Sequence, residues 1–176
     1  NVVRYQGEPI VLVIAETVAQ ALDASEVVEI EYSPLPHVVD GKEAASPNSI
    51  KLNSQLDENI AVKWNTGNSQ EIENVFDNAD NVVNLTVQNQ RIVTNPMEPR
   101  GVVAEWNIST GRYTLYGSSQ NIHVMRTCVA DMLGVAEALV RFIAPDVGGG
   151  FGCKNFCYTE YGLIAWMSKK LRRPVK

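Results

Sequence analysis

Cysteine is scarce in this chain, and so are histidine and long apolar runs. Its three cysteines cannot form a closed disulfide framework, so a reducing, cytoplasmic compartment is the expected setting. Cys153 and Cys157 stand four apart with His123 and Cys128 upstream, but a zinc site needs four ligands, usually in two close pairs. Ordinary buried thiols are the preferred reading, and no Cys-x-x-Cys pattern offers an iron–sulfur site. No apolar run approaches the roughly 20 residues that span a bilayer. Basic excess is missing as well: the formal net charge of −5 argues against nucleic-acid binding, which needs a basic face. No signal peptide is visible, and the chain opens on Asn1.

What remains is 176 residues, 45% hydrophobic and 20% charged, the profile of a globular chain able to bury a core. Ile10–Ala15 is an unbroken apolar run, read as a strand buried on both faces. Thr17 with Gln20 forms a capping box at the head of a helix, and Val27–Tyr32 is a second strand stopped by Pro34 and Pro36. Residues 36–59, rich in Pro, Ser, Asn and Gly, read as a linker or wrapping loop. Asn68 with Glu71 predicts another capped helix, followed by an alternating strand at Val83–Val87. Strands at Gly101–Trp106 and Tyr113–Tyr116 flank a turn at Ser109–Gly111. Ile122, Met125, Val129, Met132 and Leu133 trace a helix face, Val140–Ala144 a buried strand and Phe156–Leu171 a buried helix. The order predicts an α+β fold. The ends read as those of a piece of something larger, with a basic stretch from Lys169 to Lys176 suited to a helix C-terminus.

The densest signal is Asp146-Val-Gly-Gly-Gly-Phe-Gly-Cys-Lys-Asn155. Four glycines in five residues permit a tight turn and close backbone approach. Placed before a helix, they are expected to show unpaired N–H groups to an anion, although a plain packing turn explains them equally. A P-loop is excluded: counted from Gly148, Cys153 replaces its second glycine and Asn155 its hydroxyl residue. The dinucleotide fingerprint fails too, with Cys153 where its third glycine belongs. Asn95-Pro-Met-Glu-Pro-Arg100 holds a carboxylate and a guanidinium on proline-stiffened backbone, either to bind a ligand or to form a local ion pair. Gln120, at a strand–helix junction, carries both a donor and an acceptor, which suits holding a polar ligand such as an oxo group. Capping by Ser119 or Asn121 is the plain alternative for that segment.

In this order the segments resemble the large, molybdenum-binding subunit of the xanthine dehydrogenase, aldehyde oxidase and carbon monoxide dehydrogenase family. The resemblance rests on Val3–Pro9, Val28–Tyr32 with Leu35-Pro36, Pro96–Gly101, Ser119–Asn121, Pro145–Gly152 with Lys154, and Arg173–Lys176. It implies that residues 1–45 are the latter part of an α/β hammerhead domain. Residues 46–59 are then a linker, and 60–176 part of the first molybdopterin-binding domain. It further implies a molybdenum–molybdopterin cofactor, often in the cytosine dinucleotide form, that hydroxylates carbon centres or oxidises carbon monoxide. Gln120 corresponds to the glutamine beside an oxygen ligand of molybdenum, and Gly150, Phe151 and Gly152 to the loop packed on the metal end of the cofactor. Asn155 falls where purine-oxidising relatives carry a substrate-directing glutamate, which weakens a purine reading. Lys154 reads as structural or electrostatic.

The base glutamate is expected downstream, leaving no catalytic residue here and no direct metal ligand, so the 176 residues alone are expected to be inactive. Expected partners are the remainder of the large subunit, iron–sulfur and flavin domains or subunits, and a small-molecule substrate. A non-catalytic binding or assembly module of the same fold is the competing reading. A nucleotide-binding protein using the glycine loop is a third.

Overall fold

The computed structural model describes residues 2–90 and 92–176, which divide by their contacts into compact units at Asn1–Val83 and Asn84–Lys176. Helices and strands both occur, giving a mixed α/β chain.

In the first unit, helix α1 (Val18–Glu26) begins where its capping box predicts. Thr17 accepts the Gln20 N–H at 3.2 Å, and the Gln20 side chain accepts the Thr17 N–H at 3.1 Å. The short helix α2 (Gly41–Ala44) is capped by Asp40. Asn59 then organises residues 44–59, donating to the carbonyls of Ala44 and Ile50 and accepting the Leu52 N–H at 2.8 Å. Helix α3 (Ser69–Asp77) starts on Asn68, whose side chain accepts the Glu71 N–H at 3.4 Å.

The strands expected at Ile10–Ala15, Val27–Tyr32 and Val83–Val87 do not form among the described residues. A strand exists only through its ladder, and these segments have no pairing partner here. Their apolar side chains stand partly or largely open, Leu85 at 84% exposure.

The second unit carries the core. Strands β1 (Val102–Trp106) and β2 (Tyr113–Gly117) pair antiparallel, with Ala104 opposite Leu115. Gly111, at φ 68°, closes their turn, and the Asn107 side chain accepts the Ser109 and Thr110 N–H groups. Strand β3 (Val140–Ile143) pairs parallel to β2 and is reached through helix α4 (Ile122–Leu133), completing the order β1-β2-β3. Val102, Ala104, Tyr113, Leu115, Val140 and Phe142 point one way from the sheet and are buried.

Met125 and Val129 of α4, one turn apart, are fully buried with this face, and Leu133 packs beside them. Ile122 and Met132, expected on the same stripe, are part-exposed instead: Ile122 opens the helix, and Met132 lies on the flank against Gly162. Helix α5 (Thr159–Leu171) starts three residues later than expected and buries one side only, through Tyr161, Gly162, Ala165 and Ser168, while Trp166 and Leu171 stay half-exposed. Val175 then exchanges two backbone hydrogen bonds with Ala104, at 2.8 and 2.9 Å. Among the described residues no helix is long and apolar enough to cross a membrane.

Candidate functional site

Strand β2 ends at Gly117 and runs through the buried Ser118 and Ser119 to Gln120, immediately before the α4 N-cap. Asn121 makes that cap, accepting the Val124 N–H at 3.2 Å, and Ser119 accepts the Asn121 N–H at 3.0 Å. Capping is therefore met without Gln120, whose side chain is left for other work.

Gln120 joins the glycine loop through both its main chain and its side chain. Its N–H donates to the Lys154 carbonyl at 3.0 Å. Its Oε1 accepts the Gly152 N–H at 3.0 Å and the Lys154 N–H at 3.3 Å. Two converging donors fix which end of the amide is oxygen, because an NH₂ group cannot accept them. The Nε2 donors have no partner among the described residues.

The loop itself needs its glycines. Gly149 and Gly152 adopt φ near 88° and 89°, where a side chain is strained. A Cβ on Gly148 would stand 2.6 Å from the Glu98 Cβ, and one on Gly150 would stand 2.6 Å from the Gln120 Cδ. Phe151, at φ 50°, is a non-glycine residue in the left-handed region, and the residue is 73% exposed. The N–H groups of Gly149, Gly150 and Phe151 have no hydrogen-bond partner among the described residues. They are not at a helix N-terminus, as the sequence suggested: α5 begins only at Thr159. Attraction of an anion by a helix dipole is thereby removed, and the bare loop donors remain.

Glu98 does not pair with Arg100. It reaches the far side of the loop, where its Oε2 accepts the Gly148 N–H at 2.8 Å and the Lys154 ammonium at 2.6 Å. Lys154 is completely buried, a property that its residue type conceals in a sequence. The Lys154 ammonium, then the Gly148 N–H, hold the Glu98 carboxyl below the usual glutamate range. Arg100 lies over the Tyr158 ring at 3.5 Å and near Glu160 at 3.8 Å, while the Tyr158 hydroxyl donates to the Cys153 carbonyl at 2.7 Å. Asn155 lies just past Lys154, its N–H donating to the Gly152 carbonyl at 3.2 Å.

The structure thus brings Gln120, Gly150, Phe151 and Gly152 together and adds Glu98 and Lys154. A hollow of about 350 Å³, lined by Arg112, His123, Arg126 and Glu137 among others, lies on other residues. Two of its cations are engaged, Arg126 with Glu137 at 2.6 Å and Arg112 with the Ala138 carbonyl at 3.0 Å, while Arg141 also lines it. At the loop, by contrast, three backbone N–H groups and the Gln120 amide nitrogen without a partner among the described residues converge on the sequence-predicted residues. Among the described residues no group of three or more His, Cys, Asp or Glu is arranged to hold a metal ion. Burial, and then the neighbouring Cys128, push the Cys157 thiol up to about 11.

Residues 52–176 match the molybdopterin cofactor-binding domain family. The chain is 35% identical to the nicotine 6-hydroxylase large subunit of Paenarthrobacter nicotinovorans, over 100% of its own length and 21% of that protein. It is 34% identical to the carbon monoxide dehydrogenase large chain of Hydrogenophaga pseudoflava, over 99% of its length and 23% of that protein. Among solved structures it is similar to reconstituted CO dehydrogenase from Oligotropha carboxidovorans, with a TM-score of 0.81 at 32% identity, over 90% of this chain and 21% of that one. Quinoline 2-oxidoreductase from Pseudomonas putida 86 gives a TM-score of 0.78 at 30% identity, over 92% and 20%. The chain therefore spans only 21% and 23% of the two curated relatives.

Proposed function

The chain belongs to the molybdopterin cofactor-binding domain family, with carbon monoxide dehydrogenase, xanthine dehydrogenase and aldehyde oxidoreductase subunits among its relatives, and on that premise we propose that it forms one wall of a molybdenum cofactor site in a molybdenum hydroxylase. The observation that carries this reading is the Gln120 amide. Its oxygen is consumed by the Gly152 and Lys154 N–H groups, so its nitrogen is a fixed, uncommitted donor beside the bare loop. The residues fit an anionic, oxygen-bearing group: unpaired N–H donors at Gly149, Gly150 and Phe151, with no side chain on two of those three positions.

Gln120, Gly150, Phe151 and Gly152 would hold the metal end of the cofactor. When bound, that group supplies the two-electron redox centre. The work of this chain is to bind and orient: Gln120 donates from Nε2, and Gly150 leaves room for the Gln120 side chain. Phe151 presents an exposed apolar ring beside them. Asn155 is assigned to face substrate, as a donor and acceptor amide. No residue here acts as the catalytic base, which belongs to a part of the enzyme outside this chain.

We assign residues 1–45 to a hammerhead domain, 46–59 to a linker and 60–176 to the first molybdopterin-binding domain of a cytoplasmic enzyme. Iron–sulfur and flavin centres sit on its other domains or subunits. The cofactor is assigned its cytosine dinucleotide form.

Molybdenum content tests the proposal. The full-length large subunit, produced with its partner subunits, should contain close to one molybdenum per polypeptide, while the 176 residues alone should contain little and reduce no dye. A full-length protein free of molybdenum would overturn the function. Stoichiometric molybdenum with substrate-dependent dye reduction by the 176 residues would overturn their inactivity.

A further inference from the structure

Glu98 sits between Pro96 and Pro99, whose rings fix their own backbone angles and stiffen the segment that carries the carboxylate. A single oxygen of that carboxylate, Oε2, receives the N–H of Gly148 and the ammonium of Lys154. Gly148 opens the glycine run and Lys154 lies just past its end, so one atom ties both ends of the loop. The Lys154 main chain in turn holds Gln120 from two sides, its N–H on Oε1 and its carbonyl on the Gln120 N–H. A continuous path of hydrogen bonds therefore runs from Glu98 through Lys154 to the amide that presents the free donor.

The energetics show how strongly the two partners depend on each other. Taking an ammonium out of water costs several kcal/mol, and leaving it buried without its partner is worse than having no charge there at all. Lys154 is 0% exposed, and Glu98 is the one anion its Nζ contacts among the described residues. A neutral, well-packed residue would fill the same volume without that cost. Placing a charge there specifies a position, because the ammonium is satisfied only when the loop end and the 95–100 segment are in register. The same segment grips the loop a second time, since Arg100 covers the ring of Tyr158, whose hydroxyl holds the Cys153 carbonyl.

We propose that Glu98 and Lys154 are positioning residues, a charged clamp that sets the glycine loop and the Gln120 amide before any cofactor arrives. The clamp's effect on cofactor retention rests on the function proposed above; its effect on the loop does not. Preorganisation of this kind raises affinity by removing the ordering cost from the binding step.

The test uses the full-length protein with Glu98→Gln, Lys154→Met and Lys154→Arg, and with Lys63→Met as a surface control taken from the exposed Lys63–Glu58 pair. Glu98→Gln keeps the shape of the side chain and removes only its charge. In cofactor-free protein, hydrogen exchange at the Gly148, Gly152 and Lys154 amides should rise about tenfold or more in Glu98→Gln, while β1 and α4 amides stay as in the parent. In protein produced with cofactor, affinity for molybdenum cofactor should fall about 10- to 100-fold, the usual effect of losing a partner that orients a ligand. Lys154→Met should show both losses as well, Lys154→Arg should show less of each than Lys154→Met, and Lys63→Met should show neither.

The double variant Glu98→Gln/Lys154→Met should be no worse than the poorer single variant, because the two act as a unit. Loop exchange and molybdenum content equal to the parent's in Glu98→Gln would overturn the clamp. Exchange rising uniformly through β1 and α4, or failure of Glu98→Gln to fold, would also overturn it, since the pair would then support the fold at large. A parent protein that never contains molybdenum would sink the proposed function alone, because the exchange experiment still decides the clamp.

Discussion

Gly150 and Gln120 share one small space: a Cβ on Gly150 would fall 2.6 Å from the Gln120 Cδ and 2.7 Å from its Cγ. The loop reaches the glutamine only because that carbon is missing.

Gly150→Ala should therefore push the Gln120 side chain off the Gly152 and Lys154 N–H groups. The backbone at this position is not left-handed, so the damage is steric. A loss of about 1–3 kcal/mol in unfolding free energy is expected, as for overpacking elsewhere. Denaturant melts should show the loss, and exchange at Gly152 and Lys154 should rise with it. Unchanged exchange at those amides would mean that Gln120 is held by something else.

Gln120→Glu separates the two jobs of the amide. A carboxylate still accepts from Gly152 and Lys154, so the loop should keep its parent exchange protection. The donor is lost, however, and turnover of the full-length enzyme should drop about 100-fold or more, the scale of removing one preorganised donor. Gln120→Leu should lose both loop protection and turnover. Equal turnover in Gln120→Glu and the parent would rule out the donor role.

Acid should loosen the second unit through two carboxylates. Glu98 is held below the usual glutamate value by Lys154 and then Gly148, and Glu137 by Arg126 and then Thr127. Because both are depressed in the folded state, the unfolded chain binds more protons as pH drops. Their stabilisation is present above the ordinary glutamate pKa of about 4.3 and disappears as pH falls through the lower folded values. Melting temperature should vary little from neutrality to about pH 5 on their account, then drop. Glu98→Gln and Glu137→Gln should each flatten that drop, and a parent-like acid profile in both variants would refute the assignment.

Cys157 should be slow to alkylate in the native protein. With its pKa raised to about 11 by burial and Cys128, about one thiol in a thousand is ionised at pH 8, against about a quarter for a free cysteine. Labelling with iodoacetamide followed by peptide mass spectrometry should show Cys157 modified about two orders of magnitude more slowly in native protein than in urea. Comparable rates would show that the thiol is open to solvent.

The strands and caps that are legible in the sequence are those whose signals are local. The strands expected at Gly101–Trp106 and Tyr113–Tyr116 form within one residue of those bounds, and of the two caps expected before α4, Ser119 or Asn121, it is Asn121 that caps it. The capping box at Thr17 and Gln20 is a contact three residues long and needs nothing else from the chain. The apolar runs at Ile10–Ala15 and Val27–Tyr32 misled for the complementary reason: they show β preference, but pairing depends on a partner strand that the run itself does not contain. The glycine loop stands where the sequence puts it, but the helix after it starts at Thr159, three residues beyond the expected Phe156, past a stretch in which the Tyr158 hydroxyl holds the Cys153 carbonyl.

Residue order alone determined the sheet-forming segments of the second unit, the capping box of α1, the loop that only glycine can build, and the membership of a cofactor-binding family. Tertiary structure alone decided that Glu98 chooses Lys154, 56 residues away, over its neighbour Arg100. A sequence displays the charges but not the solvent around them, and only the folded chain removes water from Lys154 and leaves it a single anion to face.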